Sequence, residues 1–191
     1  IKEEIKKTNK SYLIVPTPSL KDNNFDLSFI KNSIYNIFPI LKKKKSKHTI
    51  ILTSTVSPGS CDKIVEYIFK KYKMKNVTDY RLIYNPYFIA LGSIVNDLEN
   101  PDLLLIGTEE RNVSFYKNFL KKIYKNKLNK IKVNFLNFKE AEISKLAINC
   151  YVTMKISFSN SLSQISDKKI GTINTAKILN AIGSDTRIGK K

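Results

Sequence analysis

The chain has 191 residues, 42% of them hydrophobic, and a formal charge of +18 at pH 7. Those values suit a globular protein of one domain or a domain and a half. No apolar run approaches the roughly 18 residues of a membrane span, and no signal-peptide pattern is present, so the expected compartment is the cytoplasm.

In chain order, Ser11 to Pro16 is a short apolar run closed by proline and reads as a buried strand, followed by a loop over Thr17 to Asn24. From Phe25 to Phe38 the residues Leu27, Ile30, Ile34 and Phe38 recur at helical steps, and Pro39 is expected to end or kink that helix. Thr49 to Thr53 reads as a second strand. It is followed by a loop over Ser54 to Ser60 and a helix with Ile64, Tyr67, Ile68 and Tyr72 on one face. Asp79 to Tyr84, Leu103 to Gly107 and Lys132 to Phe135 are further strands, with a helix over Glu109 to Tyr124. Alternating strands and helices imply a largely parallel sheet, half of a doubly wound domain.

From Lys139 the pattern becomes one long amphipathic helix reaching about Asp167, with Ile143, Leu146, Ala147, Cys150, Met154 and Phe158 at helical spacing. A shorter helix over about Asn174 to Ile182 is expected to end on a left-handed cap at Gly183. The fold class is therefore α/β, an incomplete Rossmann-like doubly wound parallel sheet over 1–137, followed by the start of an α-helical domain over 138–191. Beginning at Ile1 and closing on Lys190 and Lys191, the chain reads as an internal fragment.

Two cysteines, Cys61 and Cys150, show no metal or disulfide spacing and read as inert apolar residues. His48 is the single histidine and has no identifiable partner in the sequence, so no metal site is expected. Of the 34 basic residues only Arg81, Arg111 and Arg187 are arginines. Scattered lysines without the bidentate guanidinium fork make nucleic acid an unfavoured partner, and a basic nucleic-acid-binding module stands as the non-enzymatic alternative.

Strand ends carrying Val15-Pro16-Thr17-Pro18 and Thr53-Ser54-Thr55-Val56 put hydroxyls and prolines where open α/β folds bind ligands. Turns stiffened by proline account for them equally well. Lys145 and Asn149, four residues apart, share a helix face, and two hydrogen-bond donors there could hold an oxyanion. A solvated lysine beside a surface asparagine fits the same spacing.

The ordered blocks VPTP (Val15 to Pro18), TSTVSPG (Thr53 to Gly59), NPYFIALGSIVNDLENPDLLLIG (Asn85 to Gly107), EISKLAINCYVTMKISFSN (Glu142 to Asn160) and AIGSDTRIG (Ala181 to Gly189) closely resemble the UDP-glucose/GDP-mannose dehydrogenase family. The resemblance implies NAD as cofactor and a two-step oxidation of a nucleotide-sugar primary alcohol to a carboxylate, through a thiohemiacetal on a cysteine. UDP-glucose is the expected substrate, for polysaccharide precursors, with UDP-N-acetylmannosamine or GDP-mannose as alternatives.

By position, Val15, Pro16, Thr17, Pro18 and Ser19 together with Ser54, Thr55 and Val56 would border NAD, and Thr55 would hold a catalytic water. Lys145 would stabilise the oxyanion, assisted by Asn149. Tyr87, Phe88, Ile89, Ala90 and Leu91 would lie over the sugar, and Arg187 would reach it from a neighbouring subunit of a homodimer formed through the long helix. Two departures stand out: Tyr87 occupies the place of a family glutamate, and Leu91 that of a frequent acidic residue. No GxGxxG occurs, and the expected Gly-Gly-x-Cys nucleophile segment would begin only after Lys191.

Overall fold

The computed structural model describes residues 2–90, 92–165 and 174–188. In order they form α1 (Lys2–Lys7), β1 (Lys10–Leu13), α2 (Ser28–Leu41), β2 (His48–Leu52), α3 (Ser60–Tyr72), β3 (Tyr80–Tyr84), α4 (Ile94–Glu99), β4 (Leu103–Gly107), α5 (Glu110–Tyr124), a 3-10 helix (Lys125–Lys130), β5 (Lys132–Leu136), α6 (Phe138–Ile165) and α7 (Thr175–Gly183). The chain divides into two compact units, Ile1–Leu146 and Ala147–Lys191.

In the first unit five strands form one sheet in the order β1-β2-β3-β4-β5. β1, β2 and β3 run parallel and so do β4 and β5, but β3 meets β4 antiparallel through Tyr84 and Gly107. The sheet is thus mostly parallel with one reversal, which strand periodicity cannot reveal.

Every residue of β2 is buried. Ile50 and Leu52 enter the larger core with Ile30, Ile34 and Phe38 of α2 and Ile64 and Ile68 of α3. Ile51 enters a second core with Ile83, Leu104 and Ile106, under Tyr116 and Leu120 of α5. Burial on both faces is what turns a strand into a continuous apolar run. β1 is the end strand, and Tyr12 and Ile14 remain exposed on the face opposite Leu13.

Several boundaries differ from the sequence expectation. Pro39 lies inside α2, which continues to Leu41, because Ile37, Phe38 and Leu41 are all buried and packing outweighs the one lost backbone donor. α6 carries apolar side chains around its circumference, with Ile143, Tyr151, Val152, Met154, Ile156 and Phe158 exposed, so the single stripe expected there is not what the helix presents. Gly183 is the last residue of α7, and among the described residues the positive-φ glycines are Gly59 and Gly92, so the expected left-handed cap at Gly183 is not formed. Cys150 is exposed rather than apolar packing. Among the described residues no helix is long and apolar enough to cross a membrane.

His48 has partners the sequence did not reveal. The Ser11 hydroxyl lies 2.9 Å from its Nε2 and Lys44 Nζ 3.4 Å from its Nδ1. Lys44 also donates to the carbonyls of Ile5 and Thr8, tying the end of α1 to the sheet.

Two predictions follow from this packing. A Cβ on Gly107 would meet the Cβ of Ala141 at 2.8 Å and that of Tyr84 at 3.2 Å. Gly107→Ala is therefore expected to destabilise the first unit by about 1–3 kcal/mol, read from the denaturant midpoint. Burial first, and then the Lys44 ammonium, lower the His48 pKa to about 4 from the ordinary 6.5. The unfolded chain takes the proton first, so stability is full above about pH 6.5 and falls as pH drops towards 4, by up to about 1.4 kcal/mol per pH unit. The urea midpoint of His48→Gln should lack that slope.

Candidate active site

The carboxyl ends of β1 and β2 are stitched together by hydroxyl groups. Thr53 N–H donates to Leu13 O at 3.0 Å, continuing the ladder. The Ser54 hydroxyl then accepts from Val15 N–H at 2.9 Å and donates to Val15 O at 2.7 Å. Thr17 Oγ1 donates to Thr55 O at 2.7 Å, and Phe25 N–H donates to Ser57 Oγ at 2.9 Å. Thr17 and Ser54 thus spend their hydroxyls on loop shape, while Thr55 is half-buried and Pro16, Pro18 and Ser19 are exposed at the strand ends. Val56 is fully buried in the larger core.

The first turns of α6 reach both neighbouring loops. Glu142, fully buried, accepts from Gly59 N–H at 2.5 Å and Cys61 N–H at 2.7 Å, at the start of α3. Three residues on, Lys145 is 7% exposed, donates to Tyr87 O at 2.7 Å and sits 4.0 Å from the centre of the Phe88 ring. Burial lowers its pKa. A solvated surface lysine is therefore the wrong description of Lys145. Sequence reasoning missed Glu142, because a carboxylate three residues from a lysine on a helix reads as an exposed ion pair.

The loop after β3 is fixed at both ends. Asn85 N–H donates to Leu52 O at 2.8 Å, and its side-chain oxygen accepts from the buried Tyr116 hydroxyl at 3.0 Å. Asp97 of α4 accepts from Ala90 N–H and from Ser93 Oγ, each at 2.8 Å, and the Ala90 N–H contact leads in lowering its pKa. Phe88 packs partly buried against the larger core, while Ile89 and Ala90 are exposed. The Tyr87 hydroxyl lies beside that of Tyr12 on β1, and burial raises its pKa. It supplies no carboxylate at the position where the resemblance leads one to expect glutamate. Leu91 lies outside the described residues.

Asn149 and Arg187 belong to the second unit. Asn149 is exposed on α6. Arg187 is exposed, and its Nε and Nη2 donate to the Asp185 carboxylate, Nη2 at 2.6 Å. Within the first unit the structure pairs Thr17 with Thr55, Ser54 with Val15, and Lys145 with Tyr87 and Phe88; Asn149 and Arg187 are described separately. Cys61 is buried, and burial followed by the Glu142 charge raises its thiol pKa, which makes it unreactive.

A mostly parallel α/β sheet whose strand-end loops carry polar groups is the class of fold that binds ligands outside the carboxyl ends of its strands. Residues 1–128 match the NAD binding domain, and residues 139–191 the central domain, of the UDP-glucose/GDP-mannose dehydrogenase family. The chain belongs to that family. It is 29% identical to the UDP-glucose 6-dehydrogenase AglM of Haloferax volcanii over 98% of its length, covering 43% of that protein. A UDP-glucose dehydrogenase structure from Pyrobaculum islandicum matches with a TM-score of 0.82 at 26% identity, over 98% of this chain and 41% of that one. A ternary complex of GDP-mannose dehydrogenase from Pseudomonas aeruginosa shares the fold with a TM-score of 0.84 at 24% identity, over 96% and 41% of the two chains. The chain thus spans about two fifths of the length of these relatives.

NAD is the cofactor of this fold. The strand-end loops leave Pro16, Pro18 and Ser19 exposed and Thr55 half-buried. The six glycines of the chain include no GxGxxG series of the kind that cradles a dinucleotide's phosphates.

Ser54→Ala should leave Val15 N–H and C=O unpaired and cost about 1–3 kcal/mol. Amide hydrogen exchange at Val15 should accelerate more than at Ile51, and equal protection at both would contradict the stitching role of Ser54.

Proposed function

We propose that the chain is a segment of an NAD-dependent nucleotide-sugar 6-dehydrogenase that oxidises UDP-glucose to UDP-glucuronate in two hydride-transfer steps, supplying a polysaccharide precursor. The observation that carries this reading is Lys145, a buried ammonium whose neighbours are a carbonyl oxygen and an aromatic ring rather than a carboxylate. Of its three N–H bonds one is used on Tyr87 O. The others are suited to an oxygen on which negative charge develops, where a preorganised donor in a dry site is most effective.

In this reading NAD, when bound, accepts hydride from the sugar carbon. Val15, Pro16, Thr17, Pro18, Ser19, Ser54, Thr55 and Val56 border the cofactor, and Thr55 orients the water of the hydrolytic step. Asn149 assists Lys145, and Tyr87, Phe88, Ile89, Ala90 and Leu91 cover the sugar. Arg187 serves the nucleotide sugar from a neighbouring subunit, the homodimer forming through the long helix. The boundary between cofactor and central domains is drawn near residue 138, and the protein works in the cytoplasm.

A specific observation favours a second substrate. Tyr87 is held beside Tyr12 with its ionisation suppressed by burial, so acid-base chemistry that needs a carboxylate there is not served. The second reading, with UDP-N-acetylmannosamine or GDP-mannose as substrate, rests on Tyr87 standing where the family resemblance leads one to expect glutamate.

The test uses the protein encoded by the reading frame that contains this chain. NADH formation from NAD should be strongest with UDP-glucose among the three nucleotide sugars. Lys145→Met should lower kcat by roughly 100- to 1000-fold while the protein remains folded. A kcat left unchanged by that substitution would refute the role of Lys145, and salt-steep DNA binding without any response to nucleotide sugar would favour the basic-module alternative.

A further inference from the structure

The loop carrying Thr55 is held at two places. On one side Thr17 and the Ser54–Val15 pair fasten it to the end of β1. On the other, Glu142 takes the N–H groups of Gly59 and Cys61, which lie 83 and 81 residues away in the chain. The N-cap of helix α3 is Gly59, a left-handed residue with φ of 82° and no side chain with which to cap the helix itself. The first backbone donors of a helix need a partner, and a negative group there is favoured by the helix dipole. Here the partner comes from another helix.

Glu142 is also three residues from Lys145, one turn along the same rigid element. Its ligands are backbone amides: the nearby Lys139 is paired with Asp62 on the surface at 3.5 Å. Indirect routes from the Thr55 loop to Lys145 pass through the loop after β3, by Asn85 N–H on Leu52 O and by Tyr12 of β1 beside Tyr87, whose carbonyl accepts from Lys145. The Glu142 contact joins the loop directly to the helix that carries Lys145.

We propose that Glu142 is a positioning residue for the reaction: by holding Gly59 and Cys61 it sets the distance between the Thr55 segment and Lys145. This rests on the functional reading given above, in which Thr55 and Lys145 serve the same substrate. With one carboxylate oxygen on Gly59 N–H and the other on Cys61 N–H, Glu142 acts through the backbone it holds.

The experiment compares Glu142→Gln, which keeps the size but turns an N–H donor toward one of the two amides, with Glu142→Asp, which keeps the charge but shortens the reach by one methylene. Asp62→Asn, which removes only the surface contact with Lys139, is the control. In the protein encoded by the containing reading frame, both Glu142 variants should exchange the Gly59 and Cys61 amides at least about tenfold faster, with the amides of β2 and β3 unchanged. Both should lower kcat at least about tenfold and leave KM for the nucleotide sugar within about twofold, the pattern of a lost transition-state geometry. Asp62→Asn should match the unsubstituted protein in both readouts.

Unchanged exchange and unchanged kcat would overturn the proposal. So would uniformly faster exchange across the sheet, or loss of the folded state in both variants, since either would make Glu142 a stability residue only. If the unsubstituted protein forms no NADH from any nucleotide sugar, the functional reading fails and the exchange pattern alone upholds or overturns the anchoring.

Discussion

A carboxylate with no access to solvent, Glu142, is held by two backbone N–H groups, and the layout of the site depends on it. Burying a carboxylate is costly unless hydrogen bonds replace its water, and the open end of a helix offers such donors without a cation. α3 gains the cap that Gly59 cannot supply, and α6 gains a fixed depth against the sheet. From that depth Lys145 reaches the carbonyl of Tyr87. One turn of helix therefore arranges the exits of both β2 and β3.

The sheet supports this from below. β2 and β3 are buried on both faces, so neither can shift register without moving an apolar side chain into the wrong core. Where the strand direction reverses, Gly107 lets Ala141 of α6 approach the sheet closely. The Tyr116 hydroxyl reaches across from α5 to Asn85, so the loop after β3 is secured from the second face as well.

The lysine excess has structural outlets. Lys44 closes the end of α1, Lys47 donates to Val77 O at 2.6 Å, and Lys71 lies over the Tyr35 ring at 4.5 Å. These three lysines serve carbonyls and a ring face within the fold. Tyr87 departs from the family pattern that the resemblance implies, because its side chain turns to Tyr12, burial raises its pKa, and it brings no carboxylate there.

The sequence by itself determined the strands and most helices, since a continuous apolar run marks a strand buried on both faces and a 3.6-residue apolar period marks the buried face of a helix. Its ordered motifs carried the family and the NAD cofactor. Only the tertiary structure decided that Pro39 stays inside α2, that β4 reverses, that His48 has two partners and that Lys145 is buried. Each of these turns on contacts between residues distant in the chain: packing under Ile37 and Leu41, a single Tyr84–Gly107 pairing, the approach of Ser11 and Lys44, and the loop of Tyr87 and Phe88 closing over an ammonium. Glu142 is the clearest case, because its chemistry depends on amides more than eighty residues away, which no local spacing can report.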